Sequence, residues 1–204
     1  MIAFGASDMT KAYVGSTEVS KVYLGDELVW GGDDPTPVLP YDAQVEYLQS
    51  SGTQWIDTGY KSNNVDSFEI IIVTNGTTKY MGSNGNLQVD LSVSKNLGKR
   101  TIKVTHSANN GPKTYVNDSL VKSQSYHRYN GYIIALFAMG TSSSAVGYHS
   151  SAAVYSSQLI INNTLVRNFI PVRKDGIGYM YDKVSGELFG NSGTGTFTFG
   201  SDVI

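Results

Sequence analysis

Thr101-Ile-Lys-Val-Thr-His106 and Thr114-Tyr-Val-Asn-Asp-Ser-Leu-Val121 are the stretches that decide the fold. The first alternates polar and apolar side chains, and alternate residues of a strand share one face. The second turns back at Asn117-Asp118, two residue types that tolerate left-handed φ. The same logic extends outward. Ser157-Gln-Leu-Ile-Ile-Asn-Asn-Thr-Leu-Val166 turns at Asn162-Asn163, and Tyr179–Phe189 turns at Ser185-Gly186. Leu87-Gln-Val-Asp-Leu-Ser-Val93 alternates, and Thr196-Phe-Thr-Phe199 reads as a last strand. Glu69–Val73 and Tyr132–Met139 are apolar runs suited to strands covered on both sides. No window shows a capped stripe of helical period. Short strands at roughly 8–12-residue spacing predict an all-β chain with an antiparallel β-sandwich.

The first thirty residues read differently. Lys11-Ala-Tyr-Val-Gly-Ser-Thr-Glu-Val19 recurs as Lys21-Val-Tyr-Leu-Gly-Asp-Glu-Leu-Val29. Gly15-Ser16 and Gly25-Asp26 are two-residue turn signals, because Gly supplies the positive φ such turns need. Strands over Lys11–Val14, Glu18–Leu24 and Glu27–Trp30 would make a three-stranded meander, with Tyr13, Val22, Leu24 and Trp30 as packing residues. So small a sheet is marginal alone, so residues 1–30 are expected to be an anchor that docks on copies of themselves or on a partner. Residues 31–40 hold three of the five prolines and read as a linker. Residues 41–204 are the sandwich, a length that buries about two-thirds of its unfolded surface.

Composition excludes several functions. There is no Cys, so no disulfide framework, thiolate metal site or cysteine nucleophile. The net charge of -2 carries no signature of nucleic acid or of an anionic membrane. The start lacks the basic and apolar regions of a signal peptide, and Tyr132–Met139, the longest apolar stretch, is under half a membrane span. The expectation is a protein made in a cytoplasm, with no membrane insertion.

Residues 45–200 resemble the laminin-G-like, concanavalin A-like jelly-roll domains of bacteriophages and of gut-bacterial surface proteins. The resemblance lies in Val45-Glu-Tyr-Leu-Gln-Ser-Ser-Gly-Thr-Gln-Trp-Ile-Asp-Thr-Gly-Tyr60, Ala135-Leu-Phe-Ala138 and Thr164-Leu-Val-Arg-Asn-Phe-Ile-Pro-Val-Arg173. It continues in Gly178-Tyr-Met-Tyr-Asp-Lys183 and Gly190-Asn-Ser-Gly-Thr-Gly-Thr-Phe197. The first thirty residues are similar to short segments of phage structural proteins. Together they imply a virion structural protein, a head fibre, capsid decoration or tail fibre, assembled in a bacterial cytoplasm. Residues 1–30 would attach a homo-oligomer to capsid or tail proteins, and the lectin-like domain would meet host or mucosal glycan. A bacterial carbohydrate-binding module or adhesin is the alternative, with a glycoside hydrolase behind it.

The candidate ligand patch is Tyr126, His127, Arg128 and Tyr129, within Tyr126-His-Arg-Tyr-Asn-Gly-Tyr132. Rings beside guanidinium and amide donors suit a sugar or a protein surface. An ordinary loop before a buried strand is the competing reading and is favoured. Ser50–Gly59 around Trp55 is read as framework rather than ligand loop. Arg167 and Arg173 could clamp a carboxylate, but pairing within the fold is preferred, with Asp182 or Asp175 serving Arg173. Gly140–Gly147 and Gly190–Gly195 are Gly/Ser-rich, but neither has the lysine of a phosphate loop. No acid-x-acid pair sets two carboxylates on one strand face as retaining glycosidases need, and no serine triad appears, so no catalytic residue or cofactor is expected. Calcium stays open, with Asp57, Asp66, Asp90 and Asp118 as candidate oxygen ligands.

Overall fold

The computed structural model describes residues 12–31, 39–62, 67–76, 82–83, 87–88, 98–107, 110–123 and 131–203. The chain divides into two compact units, Met1–Leu39 and Pro40–Ile204. Among the described residues there is no helix.

The first unit holds β1 (Ala12–Val14), β2 (Thr17–Val19), β3 (Lys21–Leu24) and β4 (Glu27–Gly31). β1 pairs with β2 and β3 with β4, as two separate two-stranded sheets. Gly15 and Gly25, at φ 64° and 66°, open the turns. The predicted meander is therefore corrected. The run Glu18–Leu24 is not one strand but breaks at a bend on Ser20, and each copy of the ten-residue repeat closes its own hairpin. The proposed packing residues are also revised. Tyr13 and Leu24 are exposed, together with Val14 and Tyr23.

The second unit begins with β5 (Ala43–Gln44), β6 (Leu48–Gln49), β7 (Ile56–Lys61), β8 (Ser67–Gly76), β9 (Gly82–Ser83) and β10 (Leu87–Gln88). It continues through β11 (Arg100–Ser107), β12 (Asn110–Val116), β13 (Ser119–Ser123), β14 (Ile133–Leu136), β15 (Met139–Gly140) and β16 (Val146–Gly147). It ends with β17 (Ala152–Ile161), β18 (Thr164–Lys174), β19 (Ile177–Asp182), β20 (Glu187–Phe189) and β21 (Thr198–Phe199). The large sheet runs β13-β12-β11-β8-β17-β18-β19-β20, with β5, β6 and β21 attached. The small sheet runs β16-β15-β9-β14-β7, with β10 on β9. Pairing is antiparallel except where β15 lies parallel to β9.

One contiguous core draws on both sheets: Ile70, Ile102, Leu159 and Phe169 from the large one, Ile56, Ile134 and Leu136 from the small one. Two sheets that share one core are packed face to face, which makes the unit a β-sandwich. β11 shows the alternation in full. Arg100, Ile102, Val104 and His106 are buried, and the residues between them are half-buried. β14 behaves otherwise. All of Ile133–Leu136 is buried, because Trp55 and Val146 cover its second face. The run Glu69–Val73 is corrected, since Ile70, Ile72 and Thr74 are buried while Glu69, Ile71 and Val73 are only half-buried. Its apolar residues on both sides mimic a doubly covered strand.

The Asx turns fall where the residue types place them. Asn117 and Asp118 have φ 45° and 64°, and Asn162 and Asn163 have 49° and 61°. Positive φ at both central residues is the type I′ geometry whose twist suits a hairpin. Asp118→Val puts a β-branched residue where left-handed backbone costs about 1–2 kcal/mol. Asp118→Gly removes that cost. Urea midpoints should therefore fall for the first variant and hold for the second.

Candidate functional site

Residues that alternate with the core positions form the outer face of the large sheet. Backbone register assembles them into rows. Lys113 on β12 lies opposite Thr105 on β11, Thr105 opposite Glu69 on β8, and Glu69 opposite Ile160 on β17. The next row is Tyr115, Lys103, Ile71 and Gln158. Strands lie about 4.8 Å apart, so Lys113 and Glu69 stand about 10 Å apart with the Thr105 hydroxyl between them.

The first row and Tyr115 of the second floor an open depression of ≈ 490 Å³ whose rim adds Ser67, Ser107 and Asn163. Glu69, Thr105, Lys113 and Tyr115 are half-buried. Among the described residues, neither Glu69 nor Lys113 has an ion-pair partner. The Lys103 ammonium lies 5.2 Å from the centroid of the Tyr115 ring, a cation–π contact. A second depression, of ≈ 410 Å³, is lined by Glu46, Val73, Lys99 and Tyr155. There the Lys99 ammonium sits 4.4 Å over the Tyr155 ring. Among the described residues the first depression thus offers hydroxyls, an amide, an ammonium, one carboxylate and the edge of buried His106.

Tyr126, His127, Arg128 and Tyr129 lie outside the described residues. Of the candidate calcium ligands, Asp66 and Asp90 lie outside them too, and Asp57 accepts the Gly59 N–H through Oδ1 at 2.8 Å. Among the described residues no three acidic or histidine side chains gather as a metal site.

The two arginines pair within the fold, but the expected partner is corrected. Arg173 binds Asp202 in bidentate fashion, Nε to Oδ1 at 2.8 Å and Nη2 to Oδ2 at 2.7 Å, and approaches Asp42 at 3.5 Å. Those hydrogen bonds hold the Asp202 carboxyl below the usual carboxylate range. Asp182 serves Arg167 instead, at 3.4 Å, and Asp175 gives its N–H to Asp42. Arg167 Nε donates to the Thr58 carbonyl at 2.9 Å, and its guanidinium stacks between Tyr60 and Phe189. Strand register explains the exchange: Asp182 lies opposite Phe169, two residues from Arg167, while Arg173 lies opposite Gly178 further along β19.

Ser50–Gly59 is knotted by its own side chains. Gln54 Oε1 accepts from the Ser51 N–H at 2.8 Å and the Ser50 hydroxyl at 3.0 Å, and both Ser50 and Gln54 are buried. The Trp55 N–H donates to Asn191, and Gly193 fits so closely that a Cβ would strike the Thr53 carbonyl. These contacts spend the segment's polar groups on the fold.

The residues of the outer-face depression were not singled out by sequence. The signal was the alternation of Lys113 and Tyr115 around buried Thr114, which aims both outward, but only register adds Glu69. Comparison with protein-family models, with curated proteins and with solved structures finds no match to this chain.

Proposed function

We propose that the chain is a non-enzymatic display protein of a bacteriophage particle, and that its sandwich, a jelly roll in this reading, binds glycan on the outer face of the large sheet. The observation that carries the glycan reading is the Glu69 carboxylate, half-buried and without an ion-pair partner in a row of hydroxyl and ammonium groups. A carboxylate placed so accepts two sugar hydroxyls in charge-assisted bonds, and among the described lining residues it is the one carboxylate where glycoside hydrolysis uses two. The virion part rests on the sequence resemblance. The exposed Tyr13, Val14, Tyr23 and Leu24 of the hairpins support an attachment role for the first unit. Many copies on one particle turn weak single-site binding into firm adhesion.

A glycan array probed with the full chain tests the ligand. Binding that weakens at least about tenfold in Glu69→Gln, equivalent to about 1.4 kcal/mol, is the expected result. Saccharide binding that ignores this change would move the site elsewhere. Mass spectrometry of purified phage particles tests the setting. Chain absent from particles but active on the array would favour a free carbohydrate-binding module or adhesin.

A further inference from the structure

We propose that the outer-face depression selects an acidic saccharide, a sugar bearing a carboxylate beside free neighbouring hydroxyls, and holds it in one direction. This inference rests on the glycan reading above and adds the ligand class and its polarity. The first ground is the state of the aromatic ring. Neutral pyranoses gain much of their affinity by laying C–H bonds on an open aromatic face. Here the Lys103 ammonium lies over the Tyr115 ring at 5.2 Å, so a face of that ring already has an occupant. What it presents instead is charge. Tyr115 lies opposite Lys103 across β11 and β12, and Lys113 precedes it by two residues on the same strand face.

The second ground is the separation of charge along the row. The Lys113 end is cationic and the Glu69 end anionic, with Thr105 between them. A ligand carboxylate at the Lys113 end meets the Lys113 ammonium in the depression, with Lys103 in the next row adding positive charge behind it. Its hydroxyls then reach the Glu69 carboxylate, with Asn163 and Ser67 on the same rim and the Ile160 side chain beside Glu69 for the ring's C–H face. The reverse placement sets carboxylate against carboxylate and is repelled. A span of about 10 Å fits one to two sugar rings. The cationic end is local, since the whole chain carries a net charge of -2.

Calorimetric titration of the full chain with a glucuronic acid-containing disaccharide and with its all-glucose counterpart tests the inference. The acidic sugar should bind about tenfold tighter or better, and the margin should shrink at high salt, as screening demands. Lys113→Gln should erase the margin by weakening the acidic sugar far more than the neutral one, while Lys113→Arg keeps it. Glu69→Gln should weaken both sugars. A melting curve for each variant confirms that it is folded, and Lys103→Gln gives an independent route to the same loss. If the neutral sugar binds as well as the acidic one, or if the margin survives both lysine changes, the selectivity is overturned while glycan binding stands. If neither sugar binds and the wider array is also blank, both readings fall.

Discussion

Asp182→Ala is expected to cost the second unit about 3–5 kcal/mol, the usual consequence of breaking a buried ion pair from one side. Asp182 is fully buried. Its Oδ1 accepts the N–H of Asn168 at 2.7 Å and of Val184 at 3.1 Å, and its Oδ2 accepts the N–H of Ser185 at 3.2 Å. Alanine strands those donors and leaves the Arg167 guanidinium without its counter-ion. Burial opposes the charge on Asp182, but the hydrogen bonds from Asn168, Val184 and Ser185 outweigh it and hold the carboxyl below its ordinary value. The folded state therefore binds its proton less readily than the unfolded chain. This contribution is fully present above the unfolded value, near 4, and is lost as pH falls through the lower folded value. Denaturant midpoints of the native chain and of Asp182→Asn should lie far apart at neutral pH and converge in acid. A gap that stays constant down to low pH would contradict the ionised pair.

Phe137→Ala is expected to cost about 3–5 kcal/mol, the range for emptying a buried aromatic site. The Phe137 ring is fully buried and packs on Phe197 at 4.8 Å between centroids. Yet its backbone has φ 64°, where a bulky residue is an outlier. The backbone cost is offset by the ring's burial and by the Ser150 N–H, which donates to the Phe137 carbonyl at 2.7 Å. That gives a sharper comparison. Glycine normally destabilises a structured position by about 0.5–1 kcal/mol relative to alanine. At Phe137 the order should reverse, because only glycine is at ease with this φ. Equilibrium unfolding of both variants decides it, and alanine proving the more stable would show that the turn has relaxed.

The turns were legible because Asn117-Asp118 and Asn162-Asn163 advertise their backbone state chemically. Asp175-Gly176, with φ 50° and 72°, carries the same kind of signal and joins β18 to β19. The inner face of β11 was legible too, since burial follows alternation there. The break between the hairpins does carry a mark, the adjacent polar Ser20 and Lys21 at the join of the two repeats, which a single strand over Glu18–Leu24 ignores. What could not be read was whatever depends on distant partners. The left-handed Phe137 has no local mark, for its cause is a pocket built by other strands. Asp182 was assigned to the wrong arginine because sequence distance does not give the register that sets it opposite Phe169, beside Arg167, and four residues from the partner of Arg173. The depression is the extreme case: Lys113, Thr105 and Glu69 become neighbours only through two registers of pairing.

The outer-face rows have a further consequence for how such a protein can change. Their side chains come from strands whose opposite faces carry the core, so the backbone is fixed by one set of residues and the ligand by another. Exposed substitutions away from packing usually shift stability by no more than about 0.5 kcal/mol. A lineage could therefore exchange Lys113 or Glu69 one at a time, keep Ile70, Ile102 and Leu159, and move between ligands without passing through an unfolded intermediate. Taste would drift fast on a frame that drifts slowly.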